Sequence, residues 1–254
     1  MNIGILSMQR VINYGSFLQA YALKGAIESF GHKCYFIDIK PGQNIGNTTV
    51  VKKSSKLEFT IKRFDRYLLR RIQHHFHIKK RRDRFINEFF PILGVGREEN
   101  YDSQYDVVVI GSDEVFNCAR NTKWGFSKTL FGEGIDSERI ITYAASCGNT
   151  TLDKLEQCGI KEEVENALHN IKVFSVRDDN TKLFVETLTD KKVIENIDPT
   201  LIYDFSKNLP ASVPEKDYIL IYAYDNRISD IETIKAIKSF AKKHKKKIIS
   251  AGVY

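Results

Sequence analysis

The run Asn2-Ile-Gly-Ile-Leu-Ser-Met8, the loop Gln9 to Gly15 and the stretch Ser16 to Phe30 decide how this chain is read. Ile3 to Met8 has the continuous apolar character of a strand buried on both faces. Phe17, Ala20, Tyr21, Leu23, Lys24 and Ile27 then recur at three- and four-residue spacing, which predicts a helix. Gly31 ends that helix, and Lys33-Cys-Tyr-Phe-Ile-Asp-Ile39 reads as a second buried strand closed by Pro41-Gly42. A strand, a Gly-containing turn, a helix and another strand make a βαβ unit. In such units the loop at the strand's carboxyl end faces the ligand crevice, and the helix N-terminus offers unpaired N–H groups to anions. Asn13-Tyr14-Gly15-Ser16 stands at that point. Asp38, near the end of the second strand, has the place of a ribose-binding carboxylate, but the loop has no GxGxxG, so a loop or cap role is favoured over dinucleotide binding.

Working outward, the design repeats. Val107 to Ile110 is a short β-branched run ending at Gly111-Ser112-Asp113, where a hydroxyl and a carboxylate meet the same crevice. Asp113 is read either as a base or sugar-hydroxyl acceptor or as the cap of the following turn. Arg139 to Gly148 is a further strand ending in small residues that include Ser146, followed by a helix from Asp153 to Ile171. Val173-Phe-Ser-Val-Arg-Asp178 is another strand, with a helix from Asp179 to Leu188 behind it. Arg177, at its end, carries a planar fork suited to phosphate or carboxylate. A salt bridge to Asp178 or Asp179 is the competing explanation. Lys192 to Ile194 and Ile197 to Ile202 supply the last strand and a Pro-marked exit. Four strand ends thus deliver Asn13 and Gly15, Ser112 and Asp113, Ser146, and Arg177 to one edge of a sheet.

Composition narrows the class. In 254 residues, 42% hydrophobic and 11% aromatic content predicts a packed core rather than disorder. No charged leader precedes the first strand, and no apolar run approaches the roughly 20 residues of a membrane span. Cys34, Cys118, Cys147 and Cys158 are scattered without a CxxC pair, which predicts reduced core thiols in a cytoplasmic protein. The net charge of +7 is local in origin. Between Lys52 and Arg84 there are 13 Lys and Arg against three acids, a balance of +10 that leaves −3 for the rest of the chain. Leu57, Ile61, Phe64, Leu68 and Ile72 mark an amphipathic helix there, and Phe85, Ile86, Phe89 and Phe90 a second one before Pro91. A solvated basic face on a helical insertion, about 52–90, is the favoured reading; contact of 52–84 with an anionic substrate or the inner face of a membrane is the alternative. Nucleic-acid binding ranks last, because aromatic platforms are not interleaved on the basic face. His74, His75 and His77 have no metal-site spacing and stand among cations, so no metal is expected.

These elements predict an α/β fold: a Rossmann-like parallel sheet with helices on both faces over 1–204, a Pro-containing linker at 205–216, and the opening βαβ unit of an incomplete second domain at 217–254. Five segments carry a resemblance: Asn13-Tyr-Gly-Ser-Phe-Leu-Gln-Ala-Tyr-Ala22, Asp106-Val-Val-Val-Ile-Gly-Ser-Asp-Glu-Val-Phe-Asn117, Tyr143-Ala-Ala-Ser-Cys-Gly148, Ser175-Val-Arg-Asp178 and Asp198-Pro-Thr200. Together, in this order, they resemble the polysaccharide pyruvyl transferase family, with Glu114, Phe116 and Asp178 departing from the usual Gln, Trp and Glu.

The resemblance implies a glycosyltransferase-B-like pair of domains and transfer of the enolpyruvyl carbons of phosphoenolpyruvate onto two hydroxyls of a free or lipid-linked saccharide. It gives Asp113 and Arg177 catalytic roles, with Arg177 on the donor's phosphate or carboxylate and Asp113 orienting the acceptor. Asn13, Tyr14, Gly15, Ser16, Gln19, Ser112 and Ser146 become substrate contacts. The general acid is expected beyond Tyr254, and no cofactor apart from the donor substrate is required. Two other readings stay open: a glycosyltransferase using a nucleotide-sugar, and a non-catalytic binding or assembly protein.

Overall fold

The N-terminal apolar run becomes strand β1 (Asn2–Leu6), with Ile5 and Leu6 fully buried, and the pattern after Asn13 becomes helix α1 (Tyr14–Ser29). The computed structural model describes residues 1–43, 45, 76, 78–118, 122–209, 216–223, 228 and 230–250. They fall into two compact units: of the described residues, those up to 45 and from Arg81 to Tyr203 belong to the first, and 76, 78–80 and those from Asp204 onward to the second.

In the first unit β1 is followed by β2 (Lys33–Ile37), β3 (Val107–Asp113), β4 (Ile140–Ala145), β5 (Ile171–Val176) and β6 (Val193–Glu195). All neighbours pair in parallel, in the order β2-β1-β3-β4-β5-β6. Ile5 sits beside Phe36 on one side and Val109 on the other. Because successive strand residues point to opposite faces, the central strands feed two cores. Ile3, Ile5, Val107 and Val109 pack with Phe17 and Leu23 of α1 and with Phe85, Phe90 and Leu93. Leu6, Val108 and Ile110 pack on the other face with Leu155, Val164, Leu168, Phe184 and Val185. Covering both faces satisfies what a parallel sheet requires, so the predicted α/β architecture is the observed one.

Several boundaries differ from expectation. The helix expected over Asp153 to Ile171 is two, α3 (Leu152–Gln157) and α4 (Lys161–Leu168), separated at Gly159 with φ +66°; a left-handed residue stops a helix, and glycine adopts it at no steric cost. The helix around Phe85 does not end before Pro91. It runs on through a wide turn at Phe85–Phe89, closed by the Phe90 N–H on the Phe85 carbonyl, into the short α2 (Phe90–Leu93), and Pro91 directly follows that wide turn, where the regular i to i−4 bonding is already interrupted. Residues 197–202 form no strand: Pro199–Leu201 is a 3-10 turn capped by Asp198. Helix α5 (Asp179–Leu188) matches the predicted range, with Asp178 as its N-cap.

Cys34 and Cys147 are buried thiols, whereas Cys158 is exposed at the α3 terminus and is not a core residue. Burial pushes the Cys34 thiol up to about 11. The helix predicted from Leu57 and the three histidines His74, His75 and His77 lie outside the described residues. Of the basic cluster, Lys79, Lys80 and Arg82 are exposed. Among the described residues no helix is long and apolar enough to cross a membrane.

The second unit pairs β7 (Tyr218–Ile221) in parallel with β8 (Lys247–Ser250), connected through α6 (Ile231–Lys243). Asp230 caps α6 by accepting from the Thr233 N–H at 2.7 Å.

Gly111 is the backbone position most tightly specified in the central sheet. Its φ is +125°, and a Cβ there would stand 2.3 Å from the Tyr143 carbonyl oxygen on β4. Gly111→Ala is therefore expected to cost about 3 kcal/mol or more, from the strained dihedral and the displaced neighbour strand. Urea unfolding followed by circular dichroism checks this; an unchanged midpoint would contradict it.

Candidate active site at the sheet edge

The strand order places the topological switch point between β1 and β3, where connections leave on opposite faces and open a crevice at the carboxyl ends of the strands. The predicted residues meet there, but not as a set of independent contacts. At the start of α1, Asn13 is the N-cap: its Oδ1 accepts the Gly15 N–H at 2.7 Å and the Ser16 N–H at 3.4 Å, while its carbonyl takes the Phe17 N–H. The helix end is thus largely satisfied by its own cap, and the expected open N–H cradle for an anion is corrected accordingly.

Ser16 and Asp113 come together across the crevice: the Ser16 hydroxyl donates to Asp113 Oδ2 at 2.6 Å. The other carboxylate oxygen, Oδ1, accepts the Glu114 N–H at 2.8 Å. Asp113 thus places one oxygen on the turn that follows and the other on a hydroxyl of α1. Asp113 has φ +80°, an uncommon conformation for a non-glycine residue. Such a backbone persists where its surroundings over-determine it, and here the Ser146 N–H donates to the Asp113 carbonyl at 3.0 Å.

Three of the predicted contacts are placed differently. The Tyr14 ring packs 5.1 Å from Phe85 and 5.6 Å from Phe89, in the apolar layer under α1 rather than in the crevice. Ser146 is buried, and its hydroxyl accepts the Gly148 N–H at 3.1 Å, so it braces the loop after β4. Ser112 is fully buried and meets the rest through Gln19, donating to its Oε1 at 3.4 Å, while its carbonyl accepts from Ser7 Oγ at 3.0 Å.

Arg177 lies just past β5. Its partner is neither Asp178, which caps α5 through the Thr181 N–H at 2.8 Å, nor Asp179. Arg177 Nη1 donates to Asp198 Oδ2 at 3.0 Å, and Gln19 Nε2 donates to that same oxygen at 2.5 Å. Asp198 Oδ1 accepts from the Thr200 backbone and hydroxyl. One carboxylate therefore links α1, the β5 end and the turn after β6. It holds the guanidinium by one nitrogen; Nε and Nη2 have no partner among the described residues. Tyr143 stands close by, its hydroxyl donating to the Ile197 carbonyl at 3.3 Å, and burial together with the Asp198 charge pushes its phenol above the ordinary range.

Asp198 is the site residue that reading the sequence for strand ends missed. The Asp-Pro-Thr signal was visible, but as a chain exit rather than as an acceptor for Arg177. Asp38 also has a different place: it is buried, held by Arg10 at 2.5 and 2.8 Å, and accepts the Asn100 N–H at 2.7 Å. It ties the β2 end to the segment before β3 and is not a ribose ligand. No group of His, Cys, Asp and Glu suited to a metal occurs among the described residues.

With this geometry in place, the comparison with known families is decisive. The model of the polysaccharide pyruvyl transferase family matches residues 13–253. The chain belongs to the polysaccharide pyruvyl transferase family. No curated protein matches it. Family membership indicates a transferase with a polysaccharide acceptor, and the match begins at Asn13, the cap of α1.

Because Asp198 serves several donors, its loss leaves them unpaired together. Asp198→Ala is expected to destabilise the fold by about 1–3 kcal/mol. Adding Gln19→Ala to that variant should cost less than Gln19→Ala alone, since residues of one network are not additive. Chemical denaturation of the two single variants and the double variant measures both.

Proposed function

We propose that this edge serves pyruvyl transfer from phosphoenolpyruvate to two hydroxyls of a saccharide, giving a cyclic ketal and phosphate. Arg177 carries the reading. Its side chain is 23% exposed, it sits at the carboxyl edge of a parallel sheet, and Asp198 holds it by one nitrogen only. A guanidinium fixed in this way keeps N–H donors for a second, planar anionic group, and the donor substrate offers both a carboxylate and a phosphate. The residues around it are suited to the acceptor. Asp113, already receiving the Ser16 hydroxyl at 2.6 Å, is an acceptor to which a sugar hydroxyl can transfer its hydrogen bond.

In the reaction the methylene carbon of the donor takes up a proton. The carbon bearing the phosphate oxygen then accepts one sugar hydroxyl, and the second hydroxyl closes the ketal as the phosphate leaves with its bonding pair and takes up that hydroxyl's proton. Arg177 would neutralise charge on the donor throughout, including the charge that grows on the departing phosphate. Asp113 would orient a hydroxyl and draw off its proton as the new C–O bond forms. The proton for the methylene is assigned to none of these residues.

Thermal unfolding of the full chain with and without phosphoenolpyruvate tests the reading. A ligand at 100 times its Kd raises stability by about 2.7 kcal/mol, so a clear rise in Tm is expected, and Arg177→Ala should abolish it while leaving the circular dichroism spectrum intact. An undiminished rise in the variant would remove Arg177 from the donor site. Stabilisation by a uridine or guanosine diphosphate sugar, without a response to phosphoenolpyruvate, would overturn the reading in favour of glycosyl transfer.

A further inference from the structure

Next to the crevice, a pocket of about 110 Å³ lies against the β1–α1 loop, and its lining includes Gln9, Arg10, Asp38, Glu99, Lys123 and Trp124. Ser7 also lines it, and because the Ser7 hydroxyl donates to the Ser112 carbonyl, the pocket shares a wall with the β3 end that carries Asp113. The volume is below the roughly 300–1,000 Å³ typical of whole drug-sized ligands, so it suits one ring rather than a nucleotide.

Its electrostatics are balanced. Two cations face two carboxylates, Arg10 against Asp38 at 2.5 Å and Lys123 against Glu99 at 4.0 Å. Arg10 is further occupied by the Gly96 and Glu98 carbonyls at 2.9 and 2.7 Å. A cation whose donors are already taken has little left for an anion, which weighs against phosphate or a carboxylate here. A sugar hydroxyl both donates and accepts, and so matches a lining that carries both kinds of group.

The remaining wall is apolar, formed by Met8, Val11, Ile39, Pro41 and Trp124. Trp124 is partly buried against the core, and its backbone is fixed. The Gly42 N–H donates to the Trp124 carbonyl at 2.8 Å, and Gln43 and Phe126 exchange backbone hydrogen bonds at 3.1 and 2.7 Å. The two segments approach so closely there that a Cβ on Gly42 would lie 1.7 Å from the Phe126 carbonyl oxygen. A rigid indole offers a large apolar surface at little entropic cost, the complement of the C–H face of a pyranose.

We infer that this pocket seats a neutral hexopyranose residue of the acceptor saccharide, with Trp124 as its platform and the loosely paired Lys123 and Glu99 as its hydroxyl partners. Calling that sugar the acceptor rests on the proposed pyruvyl transfer; the binding itself does not. Trp124 is the chain's one tryptophan, so its emission reports this pocket alone.

Titration of the full chain with methyl hexopyranosides of gluco, galacto and manno configuration is expected to give a saturable emission change with at least one of them. Inorganic phosphate and phosphoenolpyruvate are expected to give none. Glu99→Gln, which keeps the fluorophore, should raise that Kd several-fold, and Trp124→Phe, followed by calorimetry, should raise it tenfold or more. If Trp124→Phe does not fold, the Glu99 variant carries the test. No saturable response to any of the three hexosides, or a saturable response to phosphate, would overturn the inference. An Arg177-dependent thermal shift with phosphoenolpyruvate and a silent Trp124 would overturn the pocket and leave the proposed transfer standing. A hexoside response without any phosphoenolpyruvate stabilisation would do the reverse.

Discussion

The parallel pairing of β1 with both β2 and β3 is the constraint from which the rest of the first unit follows. With helices or turns packed on both faces of the sheet, the central strands have no polar outlet along their length, and Ile5, Leu6, Val108 and Ile110 are buried accordingly. Polar chemistry is displaced to the carboxyl edge, and the change of direction between β1 and β3 parts the loops at that one place. The Ser7 hydroxyl bond to the Ser112 carbonyl fastens the two strand ends where the loops diverge. Asn13, Ser16 and Asp113 are then brought within hydrogen-bonding range by backbone geometry, before any ligand is considered.

At that edge the side chains act as a connected set. Asp198 gathers Gln19 and Arg177 on one oxygen and the turn at Thr200 on the other. Asn13 takes up α1's first N–H groups, whereas the Arg177 guanidinium keeps donors that Asp198 does not use. This division of labour suits a substrate that presents both charge and hydroxyls. The cation is held but not saturated, and Asp113 keeps one oxygen on the Ser16 hydroxyl and the other on the Glu114 N–H.

Much of this was legible in the sequence because burial has a periodic signature. The apolar runs at Ile3 and Val107 could only be interior parallel strands, and Arg177 could only fall at the end of one. Side-chain direction was not legible. Tyr14 lies in the same motif as Ser16, yet one turn geometry sends it beneath α1 against Phe85 and Phe89 and leaves Ser16 toward Asp113. Asp198 was equally opaque, since its bond to Arg177 spans 21 residues and depends on how β6 and the 3-10 turn return to the edge. Gly159 shows the local counterpart: a glycine inside a periodic pattern stops a helix only where the chain takes the left-handed conformation, and spacing alone does not reveal that.

The aromatic layer beneath α1 also ties the chain after the basic segment to the start of that helix. Phe85 and Phe89 close on Tyr14 and Phe17, and Arg84, ion-paired to Glu88 at 2.8 Å, leans over the Phe89 ring. These rings lie at the end of the basic segment and touch the residue that follows the Asn13 cap. The first turn of α1, where Ser16 meets Asp113, therefore rests on rings contributed by the segment that Arg84 opens.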